Sequence, residues 1–378
     1  MKNIVILGIT GSIGTQTLEV IKEIGGFNIV GASFGKNYQL MDQILEEFNI
    51  SYVASFDKEA IGYLDNKHLE INFFNDINKL LEIKDVDIVL NAVSGYHGII
   101  YSYNTLKNGK DLLLANKESL VAIGPMLKQM AKDKGLKIIP IDSEHTSLLD
   151  LISHTTDNIQ KCYITASGGA LRDKSLDELK NVTLKDTLNH PTWKMGQKIT
   201  IDSATMMNKA FEVIEACYLF DIDIDDLEVL MDYQSIVHAL IETKNRLIPH
   251  VSSTTMKNPI KYALLNNNLT YNSYQDNLSK DEVINKYSLR KLDIKRYPLI
   301  LLSKYCLNKK FNGIILTTVN DSLVEMFINN KIDYLTLINN ISEFFMKFKD
   351  NYENLEYNIE NILKVEKKVE KEVKKLCK

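Results

Sequence analysis

Four short strings in this chain place acids, cations, hydroxyls and amides where they can act on a bound molecule. Asp142-Ser143-Glu144-His145 closes the apolar run that begins at Leu136. In extended chain, residues i and i+2 share a face, so Asp142 and Glu144 point the same way. Two hard oxygen donors so placed suit Mg²⁺ or Mn²⁺. The same acids also suit the cap of a helix beginning near Thr146. The stretch Asp202–Glu212 leads into a helix whose core stripe is Met207, Phe211, Ile214 and Tyr218. Asn208 and Lys209 lie four and three residues before Glu212, so the three crowd a different face. A surface ion pair is one reading of that face. It leaves the hydroxyls of Ser203 and Thr205 just upstream without a role. Ser167-Gly168-Gly169, after the apolar run Cys162–Ala166, is either a plain turn or a loop whose N–H groups hold a phosphate. Asn116-Lys117-Glu118-Ser119 sets a cation at a strand end, where ligands of open α/β sheets bind.

Three further strings concern a cofactor and a lid. Gly8-Ile9-Thr10-Gly11-Ser12-Ile13-Gly14 joins the first strand to the first helix. Glycines there allow a tight turn and let a pyrophosphate sit on the helix's first N–H groups. The spacing is GxxGxxG, so its weight comes from its place in the first βα unit. After the second strand come Gly35-Lys36-Asn37, with no acid to grip a ribose hydroxyl. A cation and an amide suit a 2′-phosphate, which favours NADPH over NADH; Lys36 also fits an ordinary surface lysine. His190-Pro191-Thr192-Trp193-Lys194-Met195-Gly196 holds the chain's one Trp between helix-breaking residues. It reads either as a lid or as a hinge around a buried indole.

The elements that must position these strings follow from periodicity. Short apolar runs at Ile4–Leu7, Asn28–Ser33, Asp87–Asn91, Asp111–Ala115 and Leu136–Asp142 alternate with helical stretches. That pattern predicts a Rossmann-like parallel sheet, covered on both faces, over residues 1–142. Residues 143–262, with runs at Cys162–Ala166, Leu227–Met231 and Ile236–Ile241, read as a second α/β domain carrying the catalytic residues. Residues 263–291 read as a linker rich in Asn, Ser and Tyr. Residues 292–378 read as a helical C-terminal domain, with Val365, Val369, Val373 and Leu376 on one stripe. The fold class is therefore α/β throughout, ending in helices. Forty-five Lys and Arg against 49 Asp and Glu give a net charge of −4, which speaks against nucleic acid as a partner. No apolar stretch approaches a membrane span, no signal peptide is evident, and the four cysteines are scattered, so a reduced, cytoplasmic protein is expected.

Taken together and in order, GITGSIG, GKN, LLLANKESLV, PIDSEH, SGG, HPTWKMG and ITIDSATMMNKAFEVIEA resemble the 1-deoxy-D-xylulose 5-phosphate reductoisomerase family. The resemblance is dense to about residue 240 and loose beyond. It implies NADPH-dependent isomerisation and reduction of that phosphorylated sugar, with a divalent metal held by Asp142, Glu144 and Glu212. It implies Lys117 beside the reacting oxygens and Ser143 and Glu144 on the substrate backbone. Ser167, Ser203, Asn208 and Lys209 match the phosphate site, with His190 nearby, and Trp193 and Met195 match a flap. Thr10, Gly11, Ser12, Ile13, Gly35, Lys36 and Asn37 match the cofactor site, to which Asn116, Glu118 and Gly196 are added. A homodimer is implied as well. Ala170-Leu171 stands where the family usually has Pro-Phe, and Val251–Lys257 matches poorly.

Overall fold

Ile4, Val5, Ile6 and Leu7 are all fully buried in the computed structural model, which describes residues 1–265 and 288–377. Their alternation explains how one strand serves two faces. Ile4 and Ile6 pack with Leu18 and Ile21 of the helix Ser12–Ile24, while Val5 and Leu7 pack with Leu80 and Val89. A strand with no polar face needs cover on both sides, and helices supply it. Around β1 (Lys2–Leu7) lie β2 (Phe27–Ser33), β3 (Tyr52–Ala54), β4 (Asn72–Phe74), β5 (Ile88–Asn91), β6 (Asp111–Leu114) and β7 (Ile138–Pro140). They form a seven-stranded parallel sheet in the order β4-β3-β2-β1-β5-β6-β7. The order reverses at β1, and such a reversal opens a crevice at the strand C-termini.

The chain divides into two units. The first comprises Met1–Asn116, Pro125–Thr146 and the described residues from Thr255 to Leu265. The sequence reading gave residues to 262 to the second domain and began a linker at 263. Instead the helix Lys257–Leu265 completes the first unit: Ile260, Ala263 and Leu264 join the core cluster of Ile4 and Ile6. Lys261 pairs with Glu23 at 2.7 Å and Lys257 with Glu19 at 2.5 Å.

The second unit comprises Lys117–Gly124, Ser147–Thr254 and the described residues from 288 onward. Its sheet is mixed: β8 (Ile159–Ala166), β9 (Leu227–Asp232), β10 (Val237–Thr243), β11 (Leu247–Val251) and β12 (Leu289–Lys291) in the order β11-β10-β8-β9-β12. β12 runs antiparallel to β9, so residues 289–291 of the expected linker are a strand; 266–287 lie outside the described residues. The C-terminal helices are Asn312–Ile328, Tyr334–Phe348 and Ile359–Leu376. In the last, Ile362, Val365, Val369 and Val373 are buried while Leu376 is 43% exposed, so the stripe lies one turn earlier than its spacing predicted. Among the described residues no helix is long and apolar enough to cross a membrane. All four cysteines are free, and Cys162, Cys217 and Cys306 are buried.

Candidate active site

The glycine loop is shaped by two of its three glycines. Gly8 has φ +82°, and a Cβ there would lie 2.9 Å from Ala92 O. A Cβ on Gly14 would lie 2.5 Å from Gly8 O. Both positions are closed to side chains, which draws the helix Ser12–Ile24 tightly onto the loop. Gly11 caps that helix without any side-chain cap bond, and its first turn carries no acid. Helix-start N–H groups and the positive end of the dipole therefore lie at a loop where Gly11 and Ser12 are exposed and Thr10 and Ile13 half-buried. Ser33 pins the turn from behind, its O and Oγ accepting from Gly8 N at 3.0 and 3.1 Å.

Gly35, Lys36 and Asn37 are exposed after β2. Asn37 caps the helix Tyr38–Glu47, its Oδ1 accepting from Leu40 N at 3.1 Å. Asn116, expected at the cofactor, is buried, and its amide donates to Val93 O and Gly95 O, each at 2.8 Å. It shapes the loop after β5.

Asp142 and Glu144 differ from the extended geometry expected of them. β7 stops at Pro140 and a helix begins at Ser143, so the two acids straddle a helix start. Asp142 Oδ1 accepts from Glu144 N at 3.2 Å and His145 N at 3.4 Å, the bonds of a helix cap. His145, fully buried, brings Nδ1 to 2.9 Å from the same oxygen. That contact fixes how the Asp142 carboxylate faces, a role the sequence reading had not assigned to His145. Ser143 Oγ donates to Glu144 Oε2.

In the second unit Glu212 is not half of a surface pair. It is 1% exposed, and Lys117 and Lys209 are 8% and 4% exposed. Lys117 Nζ stands 2.5 Å from Glu212 Oε1, Asn208 donates to the same oxygen and Lys209 donates to Oε2. Two ammonium groups and an amide on one buried carboxylate fix the direction in which it faces. The segment carrying these residues is two helices, Gln197–Thr205 and Met207–Phe220, hinged at Met206 in the left-handed region with φ +66°. Ser203, half-buried, sits in the last turn of the first.

Ser167 and His190 meet, with Ser167 Oγ 3.1 Å from His190 Nε2. The tautomer follows from the other nitrogen: His190 Nδ1 accepts from Thr192 N at 3.1 Å and Trp193 N at 3.0 Å. The ring proton is therefore on Nε2 and is donated to Ser167. Gly169 N also donates to Ser167 Oγ, at 3.3 Å. A hydroxyl accepts two hydrogen bonds and donates one, so the Ser167 proton is left to point outward. Burial and the charge of Arg172 push His190 down to about 4, keeping it neutral. Trp193 and Met195 are half-buried, and Gly196 caps the helix Gln197–Thr205.

Glu118, expected at the cofactor, is buried and ion-paired to Lys198. Lys198 Nζ also lies 2.8 Å from Asp202 Oδ2 and 3.0 Å from Asp321 Oδ1. Burial alone would lower Lys198, but the three carboxylates hold it well above the usual lysine value. Burial likewise raises Glu118, and the Lys198 charge more than reverses this. Asp321 remains raised to about 6, by burial first, with Lys198 opposing and Glu118 and Asp202 adding. Nothing in the local sequence flagged Lys198 or Asp321.

A glycine-turn parallel sheet with a reversal point, followed by a unit built on a lysine-gripped carboxylate, defines a nucleotide-dependent oxidoreductase of two α/β units. Its relatives are specific. Models described as 1-deoxy-D-xylulose 5-phosphate reductoisomerase match residues 4–124, its C-terminal domain residues 138–220, and a DXP reductoisomerase C-terminal domain residues 251–372. The chain is 40% identical to the 1-deoxy-D-xylulose 5-phosphate reductoisomerase of Clostridium tetani, covering 97% of each chain. It is 37% identical to that of Thermoanaerobacter pseudethanolicus, covering 99% of each. A solved structure described as DOX-P reductoisomerase in complex with NADPH, fosmidomycin and magnesium is 30% identical, with a TM-score of 0.87 over 100% of this chain and 98% of that one. The chain belongs to the 1-deoxy-D-xylulose 5-phosphate reductoisomerase family.

Proposed function

We propose that this chain converts 1-deoxy-D-xylulose 5-phosphate to 2-C-methyl-D-erythritol 4-phosphate, isomerising and then reducing it with NADPH in the presence of Mg²⁺ or Mn²⁺. The observation that carries this reading is the buried Glu212, gripped by Lys117, Asn208 and Lys209. A plain dehydrogenase has no use for that centre. Asp142, Glu144 and Glu212 are the metal ligands, an all-carboxylate set whose hard oxygens fit Mg²⁺ or Mn²⁺. When bound, the ion supplies Lewis-acid polarisation of the sugar's adjacent oxygens. Lys117 donates to those oxygens and stabilises the negative charge that develops as a carbon–carbon bond breaks and re-forms. Ser143 and Glu144 contact the substrate backbone. Ser167, His190, Ser203, Asn208 and Lys209 hold the phosphate, whose remote binding energy positions the reacting carbons. Trp193, with Met195, covers the site and excludes water from the aldehyde formed before reduction. Thr10, Gly11, Ser12, Ile13, Gly35, Lys36 and Asn37 bind NADPH, with Asn116, Glu118 and Gly196 beside it. The working form is a cytoplasmic homodimer. Oxidation of NADPH, followed at 340 nm on the order of minutes with the purified substrate, tests the proposal. Turnover that survives complete chelation of divalent ions would remove the metal from it.

A further inference from the structure

We infer that Arg172, assisted by Tyr297 and Arg296, is the positioning group that makes the loop 167–171 a receptor for the substrate's phosphate monoester. The inference rests on the phosphate site proposed above and assigns what builds it. The loop's carbonyls are held from one side. Arg172 Nη1 donates to Ser167 O at 3.1 Å and to Tyr233 O at 2.7 Å. Tyr297, 5% exposed, donates from its hydroxyl to Gly168 O at 3.0 Å, and Arg296 Nη2 donates to Leu171 O. In a trans peptide the C=O and the following N–H point opposite ways. Drawing the carbonyls of Ser167 and Gly168 toward Arg172 and Tyr297 therefore turns the N–H groups of Gly168 and Gly169 the other way. Gly169 N–H does reach the Ser167 hydroxyl, which in turn faces His190. The glycines allow it: Gly168 and Gly169 have φ of +87° and +70°, and a Cβ at 168 would lie 2.8 Å from Arg172 Cβ.

Arg172 also brings charge. Its guanidinium is always protonated and stacks with its carbon 4.9 Å from the Tyr233 ring centre. Its Nε is buried without a hydrogen-bond acceptor. The carboxylate of Asp173, 3.6 Å from Nε, is 83% exposed and so well screened. A fixed positive charge behind a loop whose N–H and O–H groups face forward is the arrangement an oxyanion with two charges needs. Burial first, and the same charge second, keep the neighbouring imidazole neutral, which preserves its donation to Ser167.

The test titrates inorganic phosphate into the full-length enzyme and reads binding by phosphorus NMR, with NADPH affinity measured alongside. Arg172→Gln should bind phosphate about 10–100-fold more weakly, since charge-assisted hydrogen bonds and their geometry are lost. Arg172→Lys, keeping charge without the two-carbonyl grip, should fall between, and Tyr297→Phe should weaken binding by about threefold to tenfold. NADPH affinity should be unchanged in all three. His190, followed by its ring resonances, should titrate at higher pH in Arg172→Gln and stay in place in Arg172→Lys, which keeps the charge, whereas a loosened fold would raise it in both. Wild-type phosphate affinity in Arg172→Lys and Tyr297→Phe, with His190 unmoved in Arg172→Gln, would overturn the inference. A wild-type enzyme that binds phosphate but does not turn over the sugar phosphate would sink the parent function and leave this inference standing.

Discussion

Asp321→Asn is expected to stabilise the protein at neutral pH and to do nothing in acid. Lys198 faces three carboxylates, Glu118, Asp202 and Asp321, in a cluster whose acid side chains are 9%, 3% and 9% exposed. Lys198 is shared among all three, and Lys117 adds its charge at Glu118. The cost falls on Asp321, raised from 3.8 to about 6 by burial, with Lys198 opposing and the other two acids adding. Because the folded value exceeds the unfolded one, the site carries no penalty below about pH 4, where both states are protonated. As the pH rises through 6 the folded protein must ionise a disfavoured group, and stability is lost. A shift of roughly two pKa units at about 1.4 kcal/mol each sets the loss at about 3 kcal/mol, complete above about pH 7. Asparagine keeps the shape and removes the ionisation. Urea unfolding at pH 4 and at pH 8 should show the variant equal to wild type at the first and about 2–3 kcal/mol more stable at the second. A constant difference at both pH values, or a less stable variant at pH 8, would refute the account of this cluster.

Three other outcomes are expected. Glu212→Gln should lose more activity than the roughly 10–100-fold typical of residues that only orient a metal ligand. It should also cost about 1–3 kcal/mol in stability, because the charge-assisted bonds of Lys117 and Lys209 to this carboxylate are weakened. NADPH binding should persist, and near-normal turnover at saturating Mg²⁺ would remove Glu212 from the metal site. Lys36→Asp should weaken NADPH by about 10–100-fold while sparing NADH, the loss expected for one charge-assisted contact to a phosphate; equal use of both cofactors by the unaltered enzyme would end that argument. Trp193 is the chain's one tryptophan and is half-buried. Its emission should therefore shift when a phosphonate carrying a metal-chelating group is added with divalent metal, and an emission blind to that ligand would make Trp193 a packing residue.

What the sequence made legible was local. The parallel sheet could be read because β1, β2, β5 and β6 are apolar runs spaced by helices and the three-residue β7 lies inside the longer run Leu136–Asp142, whereas β3, β4 and β12, also of three residues each, have no such run around them. The Asp142–Glu144 pair was found by its spacing, and a carboxylate oxygen of each does lie within 4.8 Å of the other's, but on a different backbone: a helix begins at Ser143, and the spacing of two acids does not reveal where a strand stops. The hinge at Met206 escaped notice because a left-handed residue that is neither Gly nor Asn carries no signature. Motif residues such as Lys117, Asn208, Lys209 and Glu212 stood in recognisable strings. Arg172, Lys198 and Asp321 did not, because their meaning lies in partners far along the chain, Tyr233 for the first and Glu118 for the other two.

His190 gives the proposed phosphate pocket a property that neither of its bonds has alone. One ring nitrogen serves Ser167, while the other is the acceptor on which the backbone of Thr192 and Trp193 is folded. A single imidazole is thus shared between the loop proposed to meet the anion and the turn that carries the indole. Two events that draw on one rigid group are thermodynamically linked, and linkage is reciprocal. Whatever factor an anion contributes to ordering the turn, an ordered turn must return to the affinity for the anion. A crosslink or antibody fragment that merely clamps residues 190–193 should therefore tighten phosphate binding without touching the phosphate, and a proline-to-glycine change at 191 should loosen it by the same route.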